Sequence, residues 1–306
     1  MSRRPARKPE GQGARGTVVA VFGRRYEVAG DDGQRYDCVP RGKQHIAVCG
    51  DRVAFSATGA GGGVIDTVLP RRNYLERSDA WKRKGIAANV DQVLVLVAVE
   101  PHPSEEFVAR VQALARAAAV PLLIAINKVE LPGAEAIRAH LAPFAASEAT
   151  LLSFSAKPRD GSAATARDAL LPRLLGRTTV LLGQSGMGKS SLVNALVPDA
   201  GAVTGELSSA LGSGRHTTTF SRLYALDPES ALIDCPGMQE VGIHHVPRDV
   251  LAASFAEFAP HLGHCRFANC RHDQEPDCAL RAQVASGAIR AERLALFVRL
   301  AREVAA

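Results

Sequence analysis

Apolar runs closed by glycines or polar turns recur along this chain, and their length and period divide it into three regions. In the first, residues 16–21, 24–28, 34–39, 51–56 and 63–68 are brief β-prone runs separated by turn signals such as Asp31-Asp32-Gly33 and the glycines from Gly59 to Gly63. That spacing predicts a small five-stranded barrel, of which an OB-fold is the economical form. In the second, residues 93–99, 122–126, 178–182 and 231–233 are almost continuously apolar, as strands buried on both faces are. The alanine-rich stretch 133–149 and residues 190–196 read as helices packed on that sheet. In the third, Leu280, Val284, Ile289, Leu294, Leu296, Phe297, Leu300 and Ala301 are spaced for an amphipathic helix, with Arg281, Arg290, Arg293, Arg299 and Arg302 interleaved.

Composition sharpens this picture only modestly. Within 306 residues, 46% are hydrophobic and the net charge is +6, and no apolar run approaches the length of a membrane span. A soluble, cytoplasmic monomer without a membrane partner is expected, because residues 2–15 are polar and basic rather than a targeting segment. The positive balance favours a polyanionic partner. Arg3, Arg4, Arg7 and Lys8 form a basic arm, and Arg71, Arg72, Arg77, Lys82, Arg83 and Lys84 crowd the link between barrel and α/β region. In a reducing compartment the six cysteines are metal ligands or free thiols. Cys38 and Cys49 are expected as half-buried strand residues.

Chemistry enters at residues 183–190, Gly183-Gln184-Ser185-Gly186-Met187-Gly188-Lys189-Ser190, which fit the phosphate-cradling pattern G-x-x-x-x-G-K-[ST] between a predicted strand and a predicted helix. Backbone amides and a helix N-terminus would face phosphate there, Lys189 would reach the β and γ phosphates, and Ser190, followed by Ser191, would ligate Mg²⁺. Asn127-Lys128-Val129-Glu130, at the end of the 122–126 run, resembles a guanine-reading segment. A carboxylate there accepts from guanine N1–H and its 2-amino group, although the usual residue is Asp and Glu130 is one methylene longer. Ser155 and Ala156, within Ser153-Phe154-Ser155-Ala156-Lys157, resemble the loop that backs the base. After the phosphate loop, Gly214-Arg215-His216-Thr217-Thr218-Thr219 and Asp234-Cys235-Pro236-Gly237 follow in the order of switch I and switch II. Thr218 and Asp234 would complete the Mg²⁺ shell, and the Gly237 amide would face the γ phosphate. Met238 stands where many GTPases carry the glutamine that positions water, which leaves His216 as the candidate hydrolytic residue.

Cys265, Cys270, His272 and Cys278 supply three thiolates and one imidazole, a complete tetrahedral set suited to structural zinc. His261 and His264 lie close enough in sequence to compete with His272.

The base-reading segment precedes the phosphate loop, and this rotated order, with Ile86-Ala87-Ala88-Asn89-Val90-Asp91, the GQSGMGKSSLVN stretch, GRHTTT and the cysteine cluster, resembles the circularly permuted GTPases of the RsgA family. The match extends over nearly the whole chain. The resemblance implies a GTPase that binds the 30S subunit and its 16S rRNA, assists late maturation, hydrolyses GTP slowly alone and faster on the ribosome, and leaves after hydrolysis. It also implies His216 as the hydrolytic residue and His272 as the zinc-ligating histidine. The expected division is a basic arm over 1–14, an OB-fold over 15–72, a permuted GTPase domain over 73–246, and a zinc-binding, mainly helical domain over 247–306. Because switch II would run straight into that last region, the nucleotide state is expected to reposition it. Two other classes fit the motifs less fully: a P-loop ATPase or kinase with an unrelated zinc module, and an RNA-binding zinc scaffold with a weak or relaxed NTP site.

Overall fold

The computed structural model describes residues 13–42, 47–145, 149–157, 163–202, 220–236, 238–239 and 241–304. Five strands, β1 (Ala14–Phe22), β2 (Arg25–Gly30), β3 (Arg35–Pro40), β4 (Arg52–Gly59) and β5 (Gly62–Val68), occupy the places the alternating runs predict. They pair in the order β1-β2-β3-β5-β4, and β4 returns to β1, so the sheet closes into a barrel. Every pair is antiparallel except β3 with β5. Inward positions of the period-2 pattern, Val18, Val28, Val53, Phe55 and Ile65, fill the barrel together with Tyr26 and Cys38. The cysteines correct the sequence reading. Cys38 and Cys49 are fully buried rather than half-buried, and Cys49 lies outside the strands, bridged to Ala87 with its thiol donating to the Ser221 carbonyl at 3.3 Å. Burial pushes the Cys38 thiol up to about 11.

The second sheet is built from β8 (Gln92–Ala98), β9 (Leu122–Asn127), β10 (Thr150–Ser153), β11 (Thr178–Leu182), β12 (Ser221–Asp227) and β13 (Ser230–Asp234), in the order β10-β9-β8-β11-β13-β12. The first five of that order are parallel and β12 is antiparallel. Alternate residues of β8 serve opposite faces. Val93, Val95 and Val97 join a core with α1 (Glu105–Ala117) and α2 (Ala134–Ala145), while Leu94, Leu96 and Ala98 join one with α3 (Ala166–Leu174) and α4 (Lys189–Leu196). Such strands must be apolar throughout, which is why their sequence signal was continuous rather than alternating.

Three features escaped the sequence. The stretch read as a link between barrel and sheet forms a hairpin of β6 (Tyr74–Ser78) and β7 (Arg83–Ala88). β12 pairs with barrel strand β1 at Arg222–Ala20 and Ser221–Val21, so barrel and α/β sheet share one hydrogen-bonded surface. The C-terminal pattern folds as two helices rather than one, α6 (Ala279–Ala285) and α7 (Ala291–Ala301), because Gly287 takes a left-handed conformation with φ +81° between them. With α5 (Arg248–Ala253), they cover the α1–α2 side of the sheet. Arg293 is buried there, paired with Glu257 at 2.7 Å and lying between the rings of Phe144 and Phe255. Among the described residues, no helix is long and apolar enough to cross a membrane.

Candidate functional site

Parallel strands deliver their carboxyl ends to one edge of a sheet, where ligands of open α/β folds bind. β9 ends at Asn127, β11 feeds residues 183–188, and β13 ends at Asp234, so segments distant in sequence meet at that edge. The turn after β11 needs glycine at two points: Gly186 and Gly188 have φ values of +81° and +93°. A Cβ on Gly188 would also collide with the Asn127 side-chain nitrogen. Gly188 stands at the N-cap of α4 without a side-chain cap bond, so the first-turn amides face the loop. The Lys189 ammonium curls back to donate to the carbonyls of Gly183 (2.8 Å) and Gln184 (3.0 Å).

Asn127 joins the two motifs. It is 1% exposed; its Nδ2 donates to the Met187 carbonyl at 3.0 Å, and its Oδ1 accepts from the Lys128 and Ala156 amides at 2.8 and 3.0 Å. The Lys128 ammonium donates to the carbonyls of Gly186 (3.0 Å) and Glu100 (2.6 Å). Ser155 is buried, and its hydroxyl accepts from the Lys157 amide. Asn127 and Lys128 therefore fasten the 127–130 segment to the glycine-rich turn, and the Ala156 amide ties the 155–157 loop to Asn127. The Glu130 Oε2 is buried without a hydrogen-bond partner, as suits a carboxylate whose partners come with a ligand.

Beside Lys189 stands Asp234, whose Oδ1 is also buried and unpartnered. Burial raises its carboxyl to about 6, against the pull of the Lys189 charge, and burial lowers the Lys189 ammonium despite Asp234. A divalent cation would satisfy that oxygen, with the Ser190 hydroxyl on the first turn of α4 as a second ligand. Since a proton and a cation compete for the same carboxylate, Mg²⁺-dependent nucleotide affinity is expected to hold above about pH 6 and to fall toward about tenfold per unit below it. Titrations at pH 7.5 and 5 with and without Mg²⁺ would measure this, and Asp234→Asn should abolish the dependence.

His216, Thr218 and Gly237 lie outside the described residues. Ser185 and Gly186 are exposed, while Met187 and Met238 are buried. One contact had no sequence signal: the Gln184 side-chain amide donates to the Gln239 carbonyl at 3.2 Å, tying the glycine-rich turn to the segment after Asp234. Further on, Arg110 of α1 donates to the Val241 carbonyl and pairs with Glu303 at 2.7 Å, which links that segment to the chain's C-terminal part.

Cys265, Cys270, His272 and Cys278 converge, their ligand atoms all within 4.8 Å of one another. His272 Nδ1 is 3.4 Å from both the Cys265 and the Cys278 sulfur, and those sulfurs are 4.0 Å apart. Sulfurs on a zinc tetrahedron with bonds of about 2.3 Å would be about 3.8 Å apart, so the set fits. His261 and His264 are outside it. Glu275 shapes the loop, accepting from the Arg271, Asp273 and Gln274 amides, which pull its carboxyl down to about 2.

A family model described as RsgA GTPase matches residues 68–244. A small ribosomal subunit biogenesis GTPase RsgA of Burkholderia pseudomallei (strain 1710b) is 47% identical over 99% of this chain and 98% of its own. One from Bordetella pertussis is 46% identical over 96% and 97% respectively. Among solved structures, YjeQ from Thermotoga maritima aligns with a TM-score of 0.69 and 28% identity, covering 95% of this chain and 98% of that one. YloQ, described as a circularly permuted GTPase, aligns with a TM-score of 0.66 at 23% identity over 97% of each chain, a likeness of fold.

Proposed function

The chain belongs to the RsgA GTPase family, and on that footing we propose how its residues carry out GTP hydrolysis in biogenesis of the small ribosomal subunit. The enzyme is a GTPase. In our reading it binds the 30S subunit through 16S rRNA in the cytoplasm as a monomer, assists late maturation, and is stimulated by the ribosome. The observation that carries this reading is the bond from Asn127 to the Met187 carbonyl. It fastens a base-reading segment to a phosphate loop that follows it in sequence, which suits a permuted chain whose sheet keeps the spatial order of a GTPase.

Each site residue then has a role. Amides of residues 183–191 and the Lys189 ammonium hold the β and γ phosphates, Glu130 accepts from the guanine edge, and Asn127, Lys128, Ser155 and Ala156 frame the base. Ser190, Asp234 and Thr218 would hold Mg²⁺, which when bound neutralises charge on the phosphate oxygens. The Gly237 amide would face the γ phosphate, and His216 would orient the attacking water. Cys265, Cys270, His272 and Cys278 would hold one structural zinc. We take the functional units as 1–14, 15–72, 73–246 and 247–306, with the nucleotide state felt in the last through the segment that follows Asp234.

GTP turnover measured alone, with 30S subunits and with 50S subunits tests the whole reading. Stimulation by 30S alone is expected, and equal turnover in all three conditions would reject it. His216→Ala should lower the stimulated rate about tenfold or more with nucleotide affinity nearly intact, and unchanged turnover in that variant would remove His216 from the mechanism.

A further inference from the structure

Most large apolar side chains that reach the surface of this protein are still half covered: Phe22, Val39, Leu175 and Phe267 are 40–47% exposed. Trp81 is 91% exposed. It is the chain's single tryptophan, and it sits at the tip of the β6–β7 hairpin. The tip is constructed rather than loose, because the Asp79 carboxylate accepts from the amides of Trp81 and Lys82, both at 2.8 Å, and the Asp79 amide donates to the Lys82 carbonyl. This Asx-type turn fixes the backbone from which the indole projects. Lys82, Arg83 and Lys84 follow it, all exposed, while the carboxylate of Asp79, itself exposed, is engaged by the Trp81 and Lys82 amides.

A lone indole beside Lys82, Lys84 and an Arg83 that shares Glu76 at 3.3 Å narrows the choice of partner. Docking on a protein calls for a contiguous apolar patch, and insertion in a membrane calls for a broad apolar face; neighbouring Asp79 and Lys82 provide neither. An unpaired nucleobase needs only one aromatic face, and its flanking phosphates suit ammonium and guanidinium groups. We propose that this tip is an RNA-docking probe, in which Trp81 stacks on an unpaired base of the small-subunit RNA and Lys82, Arg83 and Lys84 contact the adjoining phosphates. The proposal rests on the ribosomal reading above and adds the contact surface.

The hairpin's base explains why docking there would matter to hydrolysis. The Ser78 amide donates to the Gly242 carbonyl at 2.9 Å, and the Ser78 hydroxyl accepts from the His245 amide at 2.9 Å and lies 2.6 Å from its Nδ1. A Cβ on Gly242 would run into the Ser78 carbonyl, so the two backbones are in direct contact. Residues 242–245 continue the segment whose Gln239 carbonyl receives the Gln184 amide of the phosphate loop. The probe and the nucleotide site are thus each hydrogen-bonded to the same stretch of chain, at Gly242 and His245 on one side and at Gln239 on the other.

The single tryptophan can be replaced with 5-hydroxytryptophan, which is excited at wavelengths where the tryptophans of ribosomal proteins do not absorb. With full-length, zinc-loaded protein labelled in this way and a non-hydrolysable GTP analogue, 30S subunits should shield the fluorescence of position 81 from iodide, whereas 50S subunits should not. Trp81→Ala should weaken 30S affinity about tenfold and lower 30S-stimulated turnover at subsaturating subunit, with basal turnover unchanged; Trp81→Phe should recover most of the affinity. If wild-type protein binds and is stimulated by 30S while the indole stays open to iodide and Trp81→Ala binds equally well, the proposal fails and the functional reading stands. If 30S neither binds nor stimulates the wild type, both fall. A blue shift with phosphatidylglycerol vesicles but not with subunits would overturn the proposal in favour of a membrane contact.

Discussion

Lys189→Ala is expected to lower GTP affinity about a hundredfold or more and to leave no measurable turnover. The ammonium is held by the Gly183 and Gln184 carbonyls at 2.8 and 3.0 Å, folded over the loop it would serve. Hydrogen bonds to charged groups contribute about 1.5–3 kcal/mol each, and two such bonds to phosphate oxygens correspond to roughly two to four orders of magnitude in affinity. The variant carries a second, independent signature. Lys189 is the charge that holds the Asp234 carboxyl down against burial, so its loss should move the acid limit of Mg²⁺ binding above pH 6. Calorimetric titration with GTP and a phosphate-release assay would measure the first effect; affinity within about tenfold of wild type would exclude Lys189 from the phosphate cradle.

How much of this was readable in advance depended on whether the signal was local. Residues 122–126 announce β9 because a strand buried on both faces must be apolar at every position, and the residue after that run, Asn127, falls at the sheet edge for the same reason. The barrel strands were visible through alternation, since each has one wet face. By contrast, the β6–β7 hairpin read as a basic link, because its outward side chains outnumber the inward Leu75, Ile86 and Ala87 that pack on the core. The pairing of β12 with β1 joins residues about two hundred positions apart and leaves no periodic trace. Cys49 was misplaced for that reason: its burial comes from Ala87 and Ser221, neither a sequence neighbour. At the site, the motifs identified which side chains meet, but the bond from Gln184 to the Gln239 carbonyl uses a backbone acceptor that any residue could supply. The break after α6 was legible only in hindsight, as the apolar spacing passes across Gly287 while its backbone does not.

Removing the metal from the Cys265, Cys270, His272 and Cys278 set should unfold the loop around it while sparing the nucleotide site. Apart from the ligands, residues 262–278 are held mainly by surface bonds, such as Arg248 to the Arg271 carbonyl at 2.8 Å and the pairs Arg302–Asp273 and Arg266–Asp277 at 3.1 and 3.0 Å; the loop has two left-handed non-glycine residues, His272 and Asp277, and its side chains are mostly half-buried or exposed. Binding free energies of about 10–16 kcal/mol for structural zinc in small peptides indicate the scale of the stabilisation that chelation would withdraw. The damage should stop at the helices, because Phe255, Phe258 and Phe297 pack on one another at centroid separations of 4.9–5.7 Å, and His272 adds only an outer contact to Phe297 at 6.0 Å. Acid should act as a chelator does. Burial, with the Cys265 and Cys278 thiols beside it, pushes Cys270 up to about 12, so metal binding must expel a proton and weakens as pH falls. The expected result is one zinc per chain, released by chelator or by Cys270→Ser, with rapid proteolysis inside 262–278 and GDP affinity changed by less than about twofold. A zinc-free variant that resists protease there would mean the loop is held by its own contacts, with the Glu275 carboxylate and its three amides as the leading alternative. Combining Cys270→Ser with Glu275→Ala separates the two supports, since a loop that depends on both should lose protection in the double variant by more than the sum of the single changes.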